Sequence, residues 1–591
     1  MPPFRRRCPA IAMRQISICP NCCRRRNVPV VSTSPRPFPS LAGYQRSYLR
    51  PDLIAGLTVW AVMVPEALAY ASIAGVPAVV GLYAAVPALI LYAALGSSRH
   101  LVVGPMSATA ALSAAIIAPM AGGDAAVYIA LSTALAIVAG VVALLAAVAR
   151  LGFVSSFISE PVLKGFIVGL ALTIIVGQVP ALLGVGKEPG DFFEQLIGII
   201  GRLGEIDWPT AVVGMIGLFV VVALKRWVPL IPGSLVVVAL GVAAVYVFSL
   251  DDHGVEVVGD INAGLPALGR PDGLVWTDYL DLIGPAVGVV LIGFAEGLGA
   301  AKTYAAKAGY TVDANRELAG LGAANVGSGL ASGMVVNGSL SKTAVNGGAG
   351  ARTQMSGLFV AALVIVTLLV LTPLFEKLPE ATLAAVVIAA VIELVDTPAL
   401  RALFRVWTTR LAGIYGRATR LDFLAAVAAM LGVLVFDTLP GLVIGIAVSI
   451  LLLLYRSSQP NVAVLARDGR RLVDAAYNPE LATIPGVRVV RVESGLYFAN
   501  ADHVRARIES IADGDTRVVV LDAETSPFID VSAVQMLGDL REALARRNID
   551  LRIARDIGQF RDVVHAVDPA DRLQLYPTVA DAVSDRSPGS G

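Results

Sequence analysis

Beyond residue 23 this 591-residue chain has no cysteine; all four, Cys8, Cys19, Cys22 and Cys23, stand in its first 23 residues. No disulfide framework supports the rest of the fold. Cys19-Pro-Asn-Cys22 has the spacing of half a zinc knuckle, but no second Cys pair or His pair accompanies it, so the reading is a tail without a metal and a protein without a cofactor. Charge is also scarce, at 15% of residues against roughly 25% in an average soluble protein. The net charge is only +1, which excludes a polyelectrolyte that binds nucleic acid wholesale.

The scarcity is uneven. Residues 461–591 hold 36 charged residues, about 27%, whereas residues 51–460 hold 45, about 11%. The first figure is that of a soluble domain and the second that of a membrane-embedded one. The residues before Pro51 carry ten Arg and no acid, and they lack the apolar run of a signal peptide. Basic flanks stay in the cytoplasm. The expected organisation is a disordered basic cytoplasmic tail over 1–40, with Met13 an alternative start. A transmembrane domain over 41–460 and a cytoplasmic domain over 461–585 follow, and 586–591 is a disordered end.

A full span needs about 20 apolar residues, and broken helices need fewer. Fourteen runs qualify. The first seven lie near 52–75, 79–96, 104–121, 126–149, 154–182, 208–224 and 232–249. The others lie near 281–301, 314–333, 338–348, 355–375, 379–397, 421–436 and 439–455, with amphipathic interfacial stretches near 191–203 and 398–412. With the N-terminus inside, the inner loops carry Arg99, Arg150, Lys225, Arg226, Lys302, Lys307, Arg316, Arg352, the cluster from Arg401 to Arg420, and Arg456. Asp251, Asp252 and Asp260 fall in the longest outer loop. The charge bias predicts a multi-pass protein of the cell membrane with both termini cytoplasmic.

The halves repeat. Asp52-Leu-Ile-Ala-Gly then Glu66-Ala-Leu-Ala parallels Asp281-Leu-Ile-Gly-Pro then Glu296-Gly-Leu-Gly, and Val102-Val103 then Ser107-Ala-Thr109 parallels Val335-Val336 then Ser341-Lys-Thr343. The repeats run over about 52–249 and 281–457. Seven spans per copy turn the second copy upside down relative to the first, the inverted-repeat plan of many secondary transporters. The short third and tenth spans read as half-helices whose N-termini meet near the midplane, where free N–H groups and positive dipole ends hold an anion.

Against this apolar background three charges stand out. Glu66 is alone from Leu53 to Ser98, and Glu296 from Leu282 to Ala301. A carboxylate in lipid faces a polar cavity or takes up a proton. Glu296, and also Glu66, are thus candidate proton carriers; the alternative is a protonated Glu bonded to a neighbouring helix. Lys342 lies within Ser339-Leu340-Ser341-Lys342-Thr343 at the start of the tenth span. It either reinforces anion binding with the flanking hydroxyls or neutralises Glu296. Glu160 and Lys164 are spaced for a helix-surface ion pair. His100 and His253 are solitary and carry no signal.

From Asn461 the pattern changes to short strands and amphipathic helices. Strands are expected over Val487–Val492, Arg517–Leu521 and Leu551–Ala554, and helices over Ala501–Ile511 and Ser532–Arg546. This is a small α/β domain with no phosphate loop, metal cluster or nucleophile-base set. By elimination its role is regulatory or in assembly, and no enzymatic activity is expected of the chain.

Several of these segments have a specific family look. Asp52-Leu-Ile-Ala-Gly-Leu-Thr-Val, Val64-Pro-Glu-Ala-Leu-Ala-Tyr-Ala, Gly81-Leu-Tyr, Gly104-Pro, Ser159-Glu-Pro-Val-Leu-Lys-Gly-Phe, Asn315-Arg-Glu-Leu and Gly338-Ser-Leu-Ser-Lys-Thr-Ala resemble the sulfate permease (SulP) family over about residues 41–585. The resemblance implies an α-helical polytopic membrane protein of fourteen spans in a 7+7 inverted repeat, divided into core and gate domains. A C-terminal α/β STAS domain, elevator-like transport and a homodimer are also implied. Carried over by position, Glu66 with Ala67 and Tyr70, Ser107, Ala108 and Thr109, and Ser339, Leu340, Ser341, Lys342 and Thr343 would line the anion site, with Glu296 coupling the proton. Many family members have Arg where this chain has Lys342, which keeps the charge but loses a forked grip on an oxyanion. Asp530-Val-Ser532 resembles a signature whose Ser is phosphorylated in soluble anti-sigma antagonists, making Ser532 a candidate phosphosite. The expected function is secondary active transport of a sulfate-like inorganic anion with a proton. Bicarbonate or dicarboxylate transport, with Na⁺ in place of the proton, and a membrane-tethered STAS scaffold or sensor remain alternatives.

Overall fold

The computed structural model describes residues 37–584 apart from 154–158, 187–189, 229–231, 260–263, 393–394, 396–397, 399–400, 402–403, 406–414, 437, 470, 482–483, 513 and 569–571. The cysteines, most of the 1–40 tail, Asp260, most of the 398–412 stretch and the end beyond 585 lie outside the described residues.

Each expected run holds a helix. The first half contains α1 (Leu49–Ile73), α2 (Ala78–Leu95), β1 (Val102–Gly104), α3 (Ser107–Ala121), α4 (Ala125–Val148), α5 (Glu160–Leu183), α6 (Phe192–Gly201), α7 (Trp208–Trp227) and α8 (Gly233–Phe248). The second contains α9 (Trp276–Asp281), α10 (Ile283–Ala308), α11 (Ala314–Leu330), β2 (Asn337–Ser339), α12 (Leu340–Gly348), α13 (Met355–Val366), α14 (Thr372–Phe375), α15 (Glu380–Ile392), α16 (Tyr415–Phe436) and α17 (Thr438–Ser458). Among the described residues seven helices are long and apolar enough to cross a membrane alone, and six shorter apolar ones accompany them. The caps explain the boundaries. Asp124 accepts the N–H groups of Ala126 and Val127 to start α4, and glycines with positive φ at 122, 184 and 309 end α3, α5 and α10. In the eleventh span Pro373 offers no N–H, and the ladder ahead of it widens into a π-turn over Thr367–Leu371.

Two groups of helices result. In the core α1 packs on α2 and α13, α10 on α4, and α11 on α2 and α4; in the gate α5 packs on α15, α16 and α17, and α7 on α8 and α15. The first span meets the eleventh as the eighth meets the fourth, as an inverted repeat requires. α11 is rich in glycine and lies deep, and a Cβ on its Gly322 would come within 2.9 Å of the Gly140 carbonyl of α4. Backbones this close are how membrane helices gain packing without a hydrophobic drive. At one end of α11 the fully buried Glu317 accepts Tyr92 Oη at 2.6 Å, Ser97 Oγ at 2.6 Å, and the N–H groups of Ser97 and Ser98 at 2.8 and 2.9 Å. Bonds to a charged group contribute about 1.5–3 kcal/mol each, so four offset a desolvation cost of several kcal/mol without an ion pair to Glu317 among the described residues.

The C-terminal domain has β3 (Val462–Asp468), β4 (Arg471–Asp474), β5 (Val487–Val492), α18 (Ala501–Ile511), β6 (Val518–Asp522), α19 (Val531–Ala545), β7 (Asp550–Ala554), α20 (Phe560–Val567), β8 (Leu575–Tyr576) and α21 (Val579–Ser584). Its sheet runs β4-β3-β5-β6-β7-β8, with β5 to β8 parallel and β3 antiparallel to both neighbours. The expected strands and helices are all present. β3, β4 and β8 are not expected from the sequence: β4 and β8 are short strands at the two edges of the sheet, whereas β3 is seven residues long, lies between β4 and β5 and follows closely on the last span.

Candidate functional site

The two half-helices are brought together by a pairing that helical periodicity does not announce. β1 and β2 are antiparallel, with Val102 opposite Ser339, Val103 opposite Gly338 and Gly104 opposite Asn337. β2 runs straight into α12 and β1 leads through Pro105 and Met106 into α3, so the two half-helices start from opposite ends of one short antiparallel ribbon. Thr343 fastens the junction: its hydroxyl donates to the Ser339 carbonyl at 2.5 Å and accepts the Val102 N–H at 3.1 Å. Ser339 caps α12, accepting the Lys342 N–H at 3.3 Å, and its hydroxyl lies 3.1 Å from that of Ser341. α3 begins behind Met106, which supplies no side-chain cap, and Ser107, Ala108 and Thr109 are all buried there. The first amides of α3 therefore keep the positive end of the helix available to an anion.

Lys342 is only 1% exposed. Its ammonium donates to the Pro105 carbonyl at 2.9 Å, stands 3.0 Å from Glu66 Oε2 and lies 4.9 Å from the centre of the Tyr70 ring. Glu66 Oε2 still lacks an aligned hydrogen bond, so the contact is one of charge, and we read the 3.0 Å separation as a genuine ion pair. Lys342 thus ties α12 to the approach of α3 and to α1. Ala67 is fully buried beside Glu66. Leu340, 54% exposed, and Ser341 face outward and form the approach to the site. A cavity of about 20 Å³ beside Thr109 and Asn337 has room for little more than one water.

Glu296 stands apart. It lies on α10 between Gly293 and Gly297, at each of which a Cβ would approach the Asn337 side chain to 3.1–3.2 Å. Its Oε2 is buried without a hydrogen-bond partner among the described residues. Lys342 is paired with Glu66, so the alternative in which Lys342 neutralises Glu296 is not the arrangement found. Glu160 and Lys164 pair at 2.7 Å. Ser532 is exposed in the first turn of α19, behind the N-cap Asp530.

Other buried polar groups are not marked in the sequence. Asp52, noticed only as a repeat marker, is buried and accepts the N–H groups of Arg352 at 2.6 Å and Thr353 at 3.2 Å and the Thr353 hydroxyl at 2.6 Å. Asn325 bridges α11 to the strand edge through Val336, accepting its N–H and donating to its carbonyl at 2.9 Å. His100, read as signal-free, is buried between Tyr310 Oη and the Ala351 carbonyl, 3.0 Å from each. The partners of Asp52 and His100 lie more than 200 residues away and leave no local pattern. A recess of about 730 Å³ between α7 and α8 is lined almost wholly by apolar side chains, which do not suit an anion.

The pattern of the Sulfate permease family matches residues 49–413, and that of the STAS domain matches residues 478–582. A probable sulfate transporter of Mycobacterium tuberculosis (strain H37Rv) is 37% identical over 548 residues, covering 91% of this chain and 96% of its own. Sulfate transporter 1.3 of Arabidopsis thaliana is 32% identical, with 92% and 86% covered. Among solved structures, the murine Solute Carrier 26 family member A9 anion transporter in its inward-facing state superposes with a TM-score of 0.81 at 24% identity, covering 92% of both chains. The transmembrane domain of a cyanobacterium bicarbonate transporter, BicA, gives 0.59 at 23%, covering 67% of this chain and 98% of that one.

Proposed function

The chain belongs to the sulfate permease family, and from that premise we propose that this anion transporter carries sulfate into the cell together with protons. The observation that carries the reading is the buried ammonium of Lys342, near the start of α12 and bonded to the Pro105 carbonyl just before α3, with the hydroxyls of Ser339 and Ser341 at the start of the same helix. Two helix N-termini, a cation and several hydroxyl donors converge there, which is the equipment an oxyanion requires. Glu66 balances Lys342 while the site is empty, and an arriving anion competes with it for the ammonium. Glu296 is the coupling carboxylate, supported by its buried, unpartnered oxygen on the helix that packs against β2. Ser107 to Thr109 present the amide end of α3.

The grouping of the helices into a core and a gate, which meet chiefly where α1 packs on α8 and α15, supports an elevator-like movement of the core past the gate. The loop charges support a place in the cell membrane with both termini cytoplasmic, and the family resemblance supports a homodimer. Ser532, exposed and at a helix start, is placed to accept a phosphate. Uptake of labelled sulfate into proteoliposomes, measured with and without an inward proton gradient, tests the central claim: the gradient accelerates uptake, and replacement of Na⁺ by choline leaves it unchanged. Equal rates at both gradients would sink the coupling.

A further inference from the structure

A second polar cavity, about 290 Å³, opens where the segment before α1 meets the core, and Tyr44, Tyr48, Arg99, His100, Tyr310 and Arg352 line it. Its hydrogen-bonding groups are unbalanced. Tyr44 Oη is buried with no hydrogen-bond partner among the described residues. Burial, and then the nearby Asp52 carboxylate, push its phenol above the usual range, so it remains an O–H donor in want of an acceptor. Arg99 and Arg352 have exposed side chains, and neither forms an ion pair among the described residues. The Arg99 guanidinium rests 5.1 Å from the centre of the Tyr310 ring.

Several acceptors at the wall are already used. Tyr310 Oη takes the Arg99 N–H at 3.0 Å and lies 3.2 Å from Ser98 Oγ, the Ala351 carbonyl faces His100 Nε2, and Asp52 is committed to residues 352 and 353. Two guanidinium groups and a phenol O–H call for a ligand made of acceptors and carrying more than one negative charge. A phosphate monoester has about −1.5 to −2 at neutral pH and three acceptor oxygens, and Arg grips it at two points. The volume falls at the lower edge of small-molecule pockets, roughly 300–1,000 Å³, so it holds more than a bare ion, and the Tyr44 and Tyr48 rings, 6.0 Å apart at 84°, offer an apolar flank.

We propose that this cavity is a second anion site, taking the phosphate of a small phosphate ester and separate from the Lys342 site. Its walls come from the segment before α1, the loop from α2 to β1, the end of α10 with Tyr310 just beyond it, and the loop from α12 to α13. An occupant would clamp pieces of both repeats together at one end of the core and bias its movement.

Calorimetric titration of the full-length protein with glycerol 3-phosphate tests this. Lys342→Ala should bind the ester as the unaltered chain does, whereas Arg352→Gln and Tyr44→Phe should each lose tenfold or more. Arg352→Gln keeps the backbone N–H that Asp52 holds, and an unchanged ligand-free melting temperature shows that its fold is kept. Arg352→Lys, which restores the charge, should recover part of the affinity. Nanodiscs of phosphatidylcholine with and without phosphatidic acid identify the source: stabilisation by phosphatidic acid that Arg352→Gln abolishes points to a lipid headgroup, and binding of the free ester alone to a soluble ligand. Equal behaviour of all variants toward both probes would overturn the site, as would loss of binding in Lys342→Ala, which would place the ester in the transport site.

Discussion

Lys342 Nζ stands 3.0 Å from Glu66 Oε2, with 1% of one side chain and 7% of the other exposed. The pair joins α12 of the second repeat to α1 of the first, so the charge that attracts an anion is also a strut between the repeats. Removing one partner of a buried ion pair costs about 3–5 kcal/mol, whereas removing both costs far less.

Lys342→Ala should therefore abolish sulfate binding in calorimetric titration and also lower the melting temperature. Adding Glu66→Gln to it should restore most of the thermal stability without restoring binding. A double variant as unstable as the single one would show that the pair contributes nothing beyond packing.

Glu296→Gln keeps the shape of the side chain and removes the titrating group. Sulfate should still bind with an affinity within about threefold, less than 1 kcal/mol by the tenfold-per-1.4 kcal/mol rule. The pH dependence of uptake into proteoliposomes should disappear. A variant that keeps the full pH response would move the coupling elsewhere.

Helix packing offers a contrast between two glycines. A Cβ on Gly140 would fall 2.5 Å from the Val326 nitrogen, whereas one on Gly299 meets nothing within 4 Å. Gly140→Val should destabilise the protein by about 1–3 kcal/mol or more, and Gly299→Ala should stabilise it by about 0.5–1 kcal/mol. Thermal unfolding monitored by intrinsic fluorescence reports both.

In the STAS domain, burial alone would raise the Asp568 carboxyl, but the Arg572 guanidinium and the Leu573 N–H, both 2.9 Å away, hold it below its usual range. A carboxyl lowered by folding stabilises above its unfolded value, about 3.9, and loses that contribution as pH falls through the folded value. Asp568→Asn should speed hydrogen exchange in β7 and α20 at pH 7. The difference from the unaltered chain should begin to shrink only below about pH 4 and close beneath the lowered folded value; a difference that persists once the carboxyl is fully protonated would assign the effect to packing.

Much of this was legible in the residues themselves. The fourteen apolar runs, the change of texture at Asn461 and the repeat of Asp52 with Glu66 at Asp281 with Glu296 follow from local composition and order, because a bilayer accepts only helices or closed barrels. The short third and tenth spans, too, announced themselves by length. What remained hidden was pairing: Lys342 with Glu66 rather than Glu296, Asp52 with 352–353, Glu317 with Tyr92, and His100 with Tyr310. Each joins residues far apart in the chain, and no periodicity encodes a distant partner.

The sequence by itself determined that the chain crosses a membrane as two inverted halves, that it carries a soluble α/β domain, and which few charges lie in the apolar region. Hydropathy and loop charge act locally, so a single chain suffices to read them. The tertiary structure alone decided which of those charges meet. The three-residue ribbon of β1 and β2 ties the two half-helices together, and that long-range register places Lys342 against Glu66 and leaves Glu296 without a paired cation among the described residues.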